Sequence, residues 1–341
     1  MKILVTGGAG FIGSNFIQYM LSKYSDVEIV NLDVLTYAGN LENLSGQEDN
    51  PRYKFVKGDI SSRENVCAIL GKSSFDAVVN FAAESHVDRS LHLGVDVFIK
   101  TNISGTQVLL DACREHNVNR FVQVSTDEVY GSLGSDGLFT ESSAIQPNNP
   151  YSATKAGADF LVRAAYKSHG LDTVITRCSN NFGPYQFPEK LIPLMIANAL
   201  EDKPLPVYGD GMQIRDWIYV LDHCTAVDLV LRKAKPGSIY NIGGKHDIPN
   251  IDIIKMLLAT LGKPESLISH VKDRPGHDRR YAMDSRRIEK ELGWTVQHSF
   301  EEALQKTIQW YLDNRPWWER VRSGEYQKYY EKMYDTRDTF N

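Results

Sequence analysis

Asp127 and Glu128 stand side by side in VSTDEVYG (124–131), directly after FVQVS, a run that reads as a buried strand. Successive strand residues point to opposite faces, so a strand running through both would bury one acid without a partner. The strand is therefore expected to end at the acids. Two carboxyl groups can divide acid and base work when their surroundings push their proton affinities apart. A second pair, Tyr151 and Lys155, forms YxxxK in NNPYSATKAGADF (148–160). On a helix these side chains share a face one turn apart. The ammonium can then favour the phenolate, although moving a tyrosine from near pH 10 to ~7 takes about 4 kcal/mol of differential stabilisation. The same spacing recurs at Tyr19/Lys23 and Tyr53/Lys57. Those pairs lie well along a helix and within a strand. Only Tyr151 opens a helix after a Pro-Asn loop, near a strand's C-terminal end, where ligands collect in open α/β sheets.

A third group of residues could hold phosphate. Gly7, Gly10 and Gly13 in TGGAGFIG follow the first strand directly, and Gly8, Gly10 and Gly13 spell GxGxxG. Glycine permits the tight turn and the close approach of backbone to a pyrophosphate, and the helix that opens there offers free N–H groups. Asp33 ends the second strand at the distance expected for an acid that accepts from an adenosine ribose hydroxyl. An acid there repels a 2′-phosphate, which selects NAD over NADP. Asp59, ending KGD, fits either a contact to the adenine edge or a cap for the next helix.

The elements that must position these groups alternate in type. KILVTGG (2–8), EIVNLD (28–33), YKFVKGD (53–59), AVVNFAA (77–83), FVQVS (121–125) and TVITRCS (173–179) read as strands, with helix-like stretches such as 14–24 and 101–117 between them. That order predicts an α/β protein with a mostly parallel sheet covered on both faces. Beyond about residue 180 the chain becomes rich in Pro and Gly, and 205–220 and 271–284 read as polar, basic loops suited to binding a substrate. The tail from about Arg315 to Asn341 is aromatic and charged and reads as a helix or an extended tail. At 341 residues, one large domain and a smaller one are expected.

Composition narrows the function. The net charge of −5 and the lack of a polybasic block give no nucleic-acid surface. No apolar stretch is long enough to span a bilayer, and the chain starts directly in a strand, so neither a membrane nor a secretory route is expected. Four scattered cysteines and nine histidines without paired ligand spacing predict a reduced, cytoplasmic, metal-free protein.

TGGAGFIG, the STDEVYG strand end and YSATK together resemble the extended short-chain dehydrogenase/reductase family, with its NAD-dependent epimerases and dehydratases. LTYAGNLENL (35–44), AAESHVDRS (82–90), NNFGPYQFPEKLIP (180–193), GDGMQIRDWIYVLDH (209–223) and DRPGHDRRYAMD (273–284) extend the likeness over nearly the whole chain, and the acid pair places it with the 4,6-dehydratases rather than the epimerases. The resemblance implies a Rossmann-like doubly wound parallel sheet of seven strands and a smaller C-terminal substrate-binding domain. Residues 1–180 would hold NAD and 181–341 mainly a nucleotide sugar, with some segments returning to the first domain. It also implies a homodimer formed through helices such as 101–117 and 151–169.

The implied reaction acts on a thymidine-diphosphate glucose and begins with oxidation at C4, with Tyr151 as base. Loss of water across C5 and C6 follows, and return of hydride to C6 then gives a 4-keto-6-deoxy sugar. By the same likeness Glu128 is the C5 base, Asp127 the C6 acid, Thr126 a partner of the 4-hydroxyl and Lys155 the companion of Tyr151. NAD would lie along Gly7, Gly10, Phe11, Ile12, Gly13, Asp33, Thr36, Asp59, Ile60, Ala82, Ala83, Thr101, Tyr151, Lys155 and Asn181. Ser85, Thr126, Asn180, Lys190, Leu191, Tyr208, Arg215, Asn250, Arg274 and His277 would hold the sugar nucleotide, with Arg215 and Arg274 on the diphosphate. The alternatives are a CDP- or UDP-glucose 4,6-dehydratase, a C4 epimerase, a UDP-glucuronate decarboxylase and a non-catalytic NAD-binding sensor. An epimerase has no use for the two acids, and a sensor has none for Tyr151 and Lys155.

Overall fold

A computed structural model describes residues 1–92, 94–273 and 276–323. In chain order the first part consists of β1 (Lys2–Thr6), α1 (Phe11–Lys23), β2 (Glu28–Asp33), β3 (Tyr53–Lys57), α2 (Arg63–Leu70), β4 (Ala77–Asn80), α3 (Val87–His92), α4 (Asp96–Phe98), α5 (Thr106–Glu115), β5 (Arg120–Thr126), α6 (Pro150–His169) and β6 (Thr173–Cys178). The remainder consists of β7 (Asn180–Phe182), α7 (Leu191–Leu200), β8 (Leu205–Tyr208), β9 (Ile214–Tyr219), α8 (Val220–Lys233), β10 (Ile239–Ile242), β11 (Asp247–Pro249), α9 (Asn250–Leu261), β12 (Ile268–Val271), α10 (Arg286–Leu292), α11 (Phe300–Asp313) and α12 (Arg315–Val321).

Seven strands form one parallel sheet in the order β10-β6-β5-β4-β1-β2-β3. Alternation along its strands divides the apolar residues between two faces. Ile3, Val5, Val79 and Val122 pack with Phe16 and Met20 of α1 and Val227 and Val230 of α8. Leu4, Val78 and Phe121 pack on the other side with Val66 of α2, Leu109 of α5 and Val162 of α6. Covering both faces is what a parallel sheet of such apolar strands requires. The expected doubly wound architecture is therefore present, and the late strand β10 forms its edge.

The second half is more regular than its composition suggests. The stretch 205–220, expected as loop, holds β8 and β9, with Gly209 and Gly211 at φ +56° and +72° turning the chain between them. The glycines and polar residues of the turn mask two short runs whose residues are largely buried. β9 pairs with β7 and β11, and β8 with β12. These strands and helices α7, α9, α11 and α12 share a separate apolar cluster that includes Trp217, Leu257, Tyr311 and Trp318. The segment 101–117 is also not one uniform helix, since Ile99–Gly105 is π-helical before α5 begins. Of the tail, Arg315–Val321 is helical, and the part beyond Ser323 lies outside the described residues.

Candidate active site

β1 ends at Thr6, and the chain turns through Gly7 at φ +69°. A Cβ on Gly7 would stand 2.5 Å from the Ala82 nitrogen, and one on Gly13 would overlap the Gly7 carbonyl oxygen. Gly8 instead faces the core, where a Cβ would strike the side chains of Asn31 and Ile17. Gly7, Gly10 and Gly13 therefore keep the surface open at the head of α1, while Gly8 serves packing. Asp33 is buried at the end of β2 and accepts from Ala9 N (2.9 Å) and Leu35 N (2.8 Å). Burial raises its pKa, against those two hydrogen bonds. Asp59 accepts from Ser61 N (2.8 Å) and from the Lys100 ammonium (3.0 Å). Burial alone would raise its pKa, but these partners bring it below the ordinary value. The cap of α2 is Ser62, so the capping alternative for Asp59 is not realised.

β5 ends at Thr126, as the acids require. Thr126 caps a single 3₁₀ turn, Asp127–Tyr130, by accepting from Glu128 N (3.2 Å), and its hydroxyl donates to Asp127 Oδ1 (3.2 Å). The turn buries Asp127 at 2 % exposure, with Oδ2 unpartnered, and leaves Glu128 half-buried. Desolvation, then the charges of Glu128 and Asp216, hold the Asp127 carboxyl well above the ordinary range, against Arg215 and the Thr126 hydroxyl. Glu128 Oε2 accepts from Asn149 Nδ2 at 3.3 Å. Asn149 is also the N-cap of α6, in a capping box with Ser152, and Pro150 occupies the first turn. One amide thus ties the acid turn to the start of the helix that carries Tyr151 and Lys155.

Tyr151 and Lys155 are both buried. The Lys155 ammonium donates to the Val124 carbonyl at 2.7 Å, and burial lowers its pKa against the charge of Asp159. Burial, then the charge of Glu128, holds the Tyr151 phenol well above its ordinary value, opposed by a hydrogen bond with Thr126. The balance at Tyr151 thus favours the phenol.

These groups line one cleft of about 500 Å³. It brings together Thr126, Asp127, Glu128, Tyr151 and Lys155 with Gly7, Gly10, Phe11, Ile12, Gly13, Asp33, Thr36, Asp59, Ile60, Ala82, Ala83, Thr101 and Asn181, and also Ser85, Asn180 and Lys190. The glycine-lined floor and the buried acid at its end fit a dinucleotide. Leu191, Tyr208, Arg215, Asn250 and His277 do not line this cleft. Arg215 is buried on β9, donates to the Asp278 and Ile214 carbonyls (both 2.8 Å) and lies over the Tyr281 ring. His277 pairs with Asp273 (2.6 Å) and stands edge-on to Tyr208 at 6.0 Å. Asn250 heads α9, with its side-chain Oδ1 buried and unpartnered. Arg274 lies outside the described residues. Two further arginines of that loop are ion-paired, Arg279 with Asp210 and Arg280 with Asp247.

Two buried acids that bear on the cleft carry no signal in the sequence. Glu189 is buried at the cleft, accepts from Tyr37 (2.9 Å) and pairs with Arg89 (3.4 Å). Asp216, fully buried, is pushed up to about 7 by desolvation despite three backbone N–H groups, and its charge bears on Asp127. Neither had a local signal, because each acquires its neighbours from distant segments. Among the described residues one grouping, Cys67, Glu115 and His116, has metal-ligand geometry, but it is absent from the cleft lining and Arg63 already holds both Glu115 oxygens at 2.6 Å.

The raised pKa of Asp127 has a measurable consequence. A carboxyl whose folded pKa is raised costs no stability below its ordinary value of 3.8, and the cost grows as pH rises toward the folded pKa. Asp127→Asn is therefore expected to melt above the parent by a margin that widens from acid toward neutral pH. Thermal melts at several pH values test this. A margin that narrows with rising pH would mean that Asp127 is ionised in the fold.

A family profile described as GDP-mannose 4,6 dehydratase matches residues 4–307. A dTDP-glucose 4,6-dehydratase from Neisseria meningitidis serogroup B is 51% identical, the match covering 96% of this chain and 97% of that protein. One from Escherichia coli is 49% identical, covering 99% of this chain and 100% of its own length. The crystal structure of a dTDP-glucose 4,6-dehydratase from Streptomyces venezuelae with NAD and TYD bound superposes with a TM-score of 0.91 at 50% identity, covering 94% of this chain and 100% of that one.

Proposed function

The chain belongs to the GDP-mannose 4,6 dehydratase family, and on that premise we infer that it is an NAD-dependent hydro-lyase catalysing the dTDP-glucose 4,6-dehydratase reaction. One observation carries this reading. Two adjacent carboxyl groups share a cleft with Tyr151 and Lys155, one fully buried with its proton affinity raised, the other half-buried.

The cofactor is held along Gly7, Gly10, Gly13 and Asp33, with Thr101, Tyr151, Lys155 and Asn181 toward the reacting end. When bound, NAD supplies the redox partner for C4 and C6 and a positive charge within the cleft. As a phenolate stabilised by the Lys155 ammonium and by the positive charge that bound NAD would supply, Tyr151 takes the proton of the 4-hydroxyl and becomes the neutral phenol. Thr126 holds the 4-hydroxyl. Once C4 is a ketone, Glu128 removes the acidified C5 proton. Asp127, whose pKa is raised by burial and by the charge of Glu128, delivers its proton to the departing C6 hydroxyl. On this reading the strand ends at the acids so that a single tight turn can present both to one sugar.

Residues 1–180 then form the NAD-binding part and 181–341 mainly the sugar-nucleotide part, with Arg215, Tyr208, Asn250 and His277 on the nucleotide side of the acids. The enzyme is a cytoplasmic homodimer on the same reading. Free cysteines at all four positions and the lack, among the described residues, of a helix long and apolar enough to cross a membrane support the location. Phe160, 56% exposed on α6, and Ile99, 42% exposed in the π-helical segment that packs on α6, support an interface through these helices.

Purified protein incubated with dTDP-, UDP- or CDP-glucose, without added reductant, tests the assignment. The expected result is a product lighter by one water with the dTDP sugar, and little or none with the other two. An isomer of unchanged mass would instead make the enzyme a C4 epimerase.

A further inference from the structure

Arg177 on β6 is 3% exposed, and neither it nor its two ionic and polar partners line the cleft. Its Nε donates to Asp159 Oδ2 at 2.9 Å and its NH1 to the Tyr130 hydroxyl at 2.9 Å. Asp159 is one turn beyond Lys155 on α6, itself one turn beyond Tyr151. Tyr130 is the last residue of the 3₁₀ turn that begins at Asp127. Its hydroxyl donates to Asn241 Oδ1 on β10 (2.7 Å), and its ring stacks on Phe139 at 4.9 Å. One guanidinium therefore grips both elements that bear the reacting groups, from behind the cleft.

Burying a guanidinium and a carboxylate is costly, and an apolar pair of similar volume often gives equal stability. What the ion pair supplies is direction. Arg has a planar fork of donors fixed in angle, so the positions of Asp159 and Tyr130 become coupled. A catalytic misplacement of 1 Å can cost roughly 10²-fold in rate.

We propose that Arg177 is a positioning residue for the reaction: through Asp159 it sets the helix carrying Tyr151 and Lys155, and through Tyr130 it sets the turn carrying Asp127 and Glu128. The proposal rests on the dehydratase reading of the cleft. The two arms act on different steps. Loosening the Asp159 arm should slow oxidation at C4, where Tyr151 and Lys155 work. Loosening the Tyr130 arm should slow elimination, where the acids work.

Tyr130→Phe keeps the ring stack and removes only the hydroxyl. Asp159→Asn keeps an oxygen for Arg177 and removes the charge. Both are compared with the parent as NAD-loaded enzyme, with rates expressed per bound NAD so that a loss of folded protein does not count. Tyr130→Phe is expected to lower kcat roughly 10-fold at nearly unchanged KM, with reduced-nicotinamide absorbance building up during turnover. Asp159→Asn is expected to lower kcat by a similar factor without that build-up. If Asp159→Asn does not fold, Asp159→Glu replaces it: the longer side chain keeps the charge but shifts the carboxylate against the Arg177 fork, and is expected to lower kcat without the build-up. Unchanged kcat per bound NAD, or the same absorbance behaviour in both arms, overturns the proposal. Failure of the parent to form a dehydrated product overturns the underlying reading instead.

Discussion

Glu128→Gln is expected to oxidise its substrate at C4 and then stall. Bound-NADH absorbance should rise on adding substrate, while the dehydrated product forms about 10²–10⁴-fold more slowly, the range for loss of a general base. The substitution is mild structurally, since glutamine retains an oxygen for the Asn149 amide that now bonds Glu128 at 3.3 Å. Solvent deuterium should enter C5 only sluggishly. Asp127→Asn should do the opposite. Its amide oxygen can still accept from Thr126, but it has no proton of comparable acidity to give. C5 should therefore exchange with solvent while little product forms. A C6 fluoride leaves with less protonation and should rescue Asp127→Asn far more than Glu128→Gln. Equal rescue of both would mean that the acid and base roles are shared or reversed.

The second large effect is expected at Tyr151. Tyr151→Phe removes the base at the 4-hydroxyl and should cut turnover by about 10²–10⁴-fold, with no NADH absorbance on adding substrate. Folding and NAD binding should persist, because the buried ring remains. Tyr19→Phe provides the control within the same spacing motif. Tyr19 meets Asp228 at 3.2 Å, and that carboxylate is also held by Lys23 (2.9 Å), Tyr24 (2.8 Å) and Arg232 (2.8 Å). Losing one of these bonds should leave activity nearly unchanged. Comparable losses at Tyr19 and Tyr151 would show that the YxxxK spacing, and not its place in the fold, had guided the assignment.

Much of the cleft was legible because its signals are local. A strand followed at once by glycines and then a helix limits what the turn can be, and Gly7 and Gly13 do occupy the close contacts that exclude a side chain. The two acids had to terminate β5, since a strand cannot bury one of a pair of adjacent carboxylates without a partner. Asn149 and Pro150 marked the start of α6 and so distinguished Tyr151 from its two look-alikes. Strand–helix alternation gave the parallel sheet in the same way.

Tertiary structure decided what depends on distant partners. The stretch 205–220 became two strands because β7, β11 and β12 come to pair with them. The Asp127 carboxyl is held above its ordinary range because its turn is buried and because Glu128 and then, from the other half of the chain, Asp216 on β9 add their charges. The Tyr151 phenol is raised rather than lowered because burial and the charge of Glu128 disfavour the phenolate. Arg177 grips α6 and the acid turn together only after β6 has entered the sheet beside β5. Residue types and spacing thus determined which chemical groups the protein carries and on which elements. Their charge states and mutual positions were set by desolvation and by contacts between segments far apart in sequence, and no local pattern encodes either.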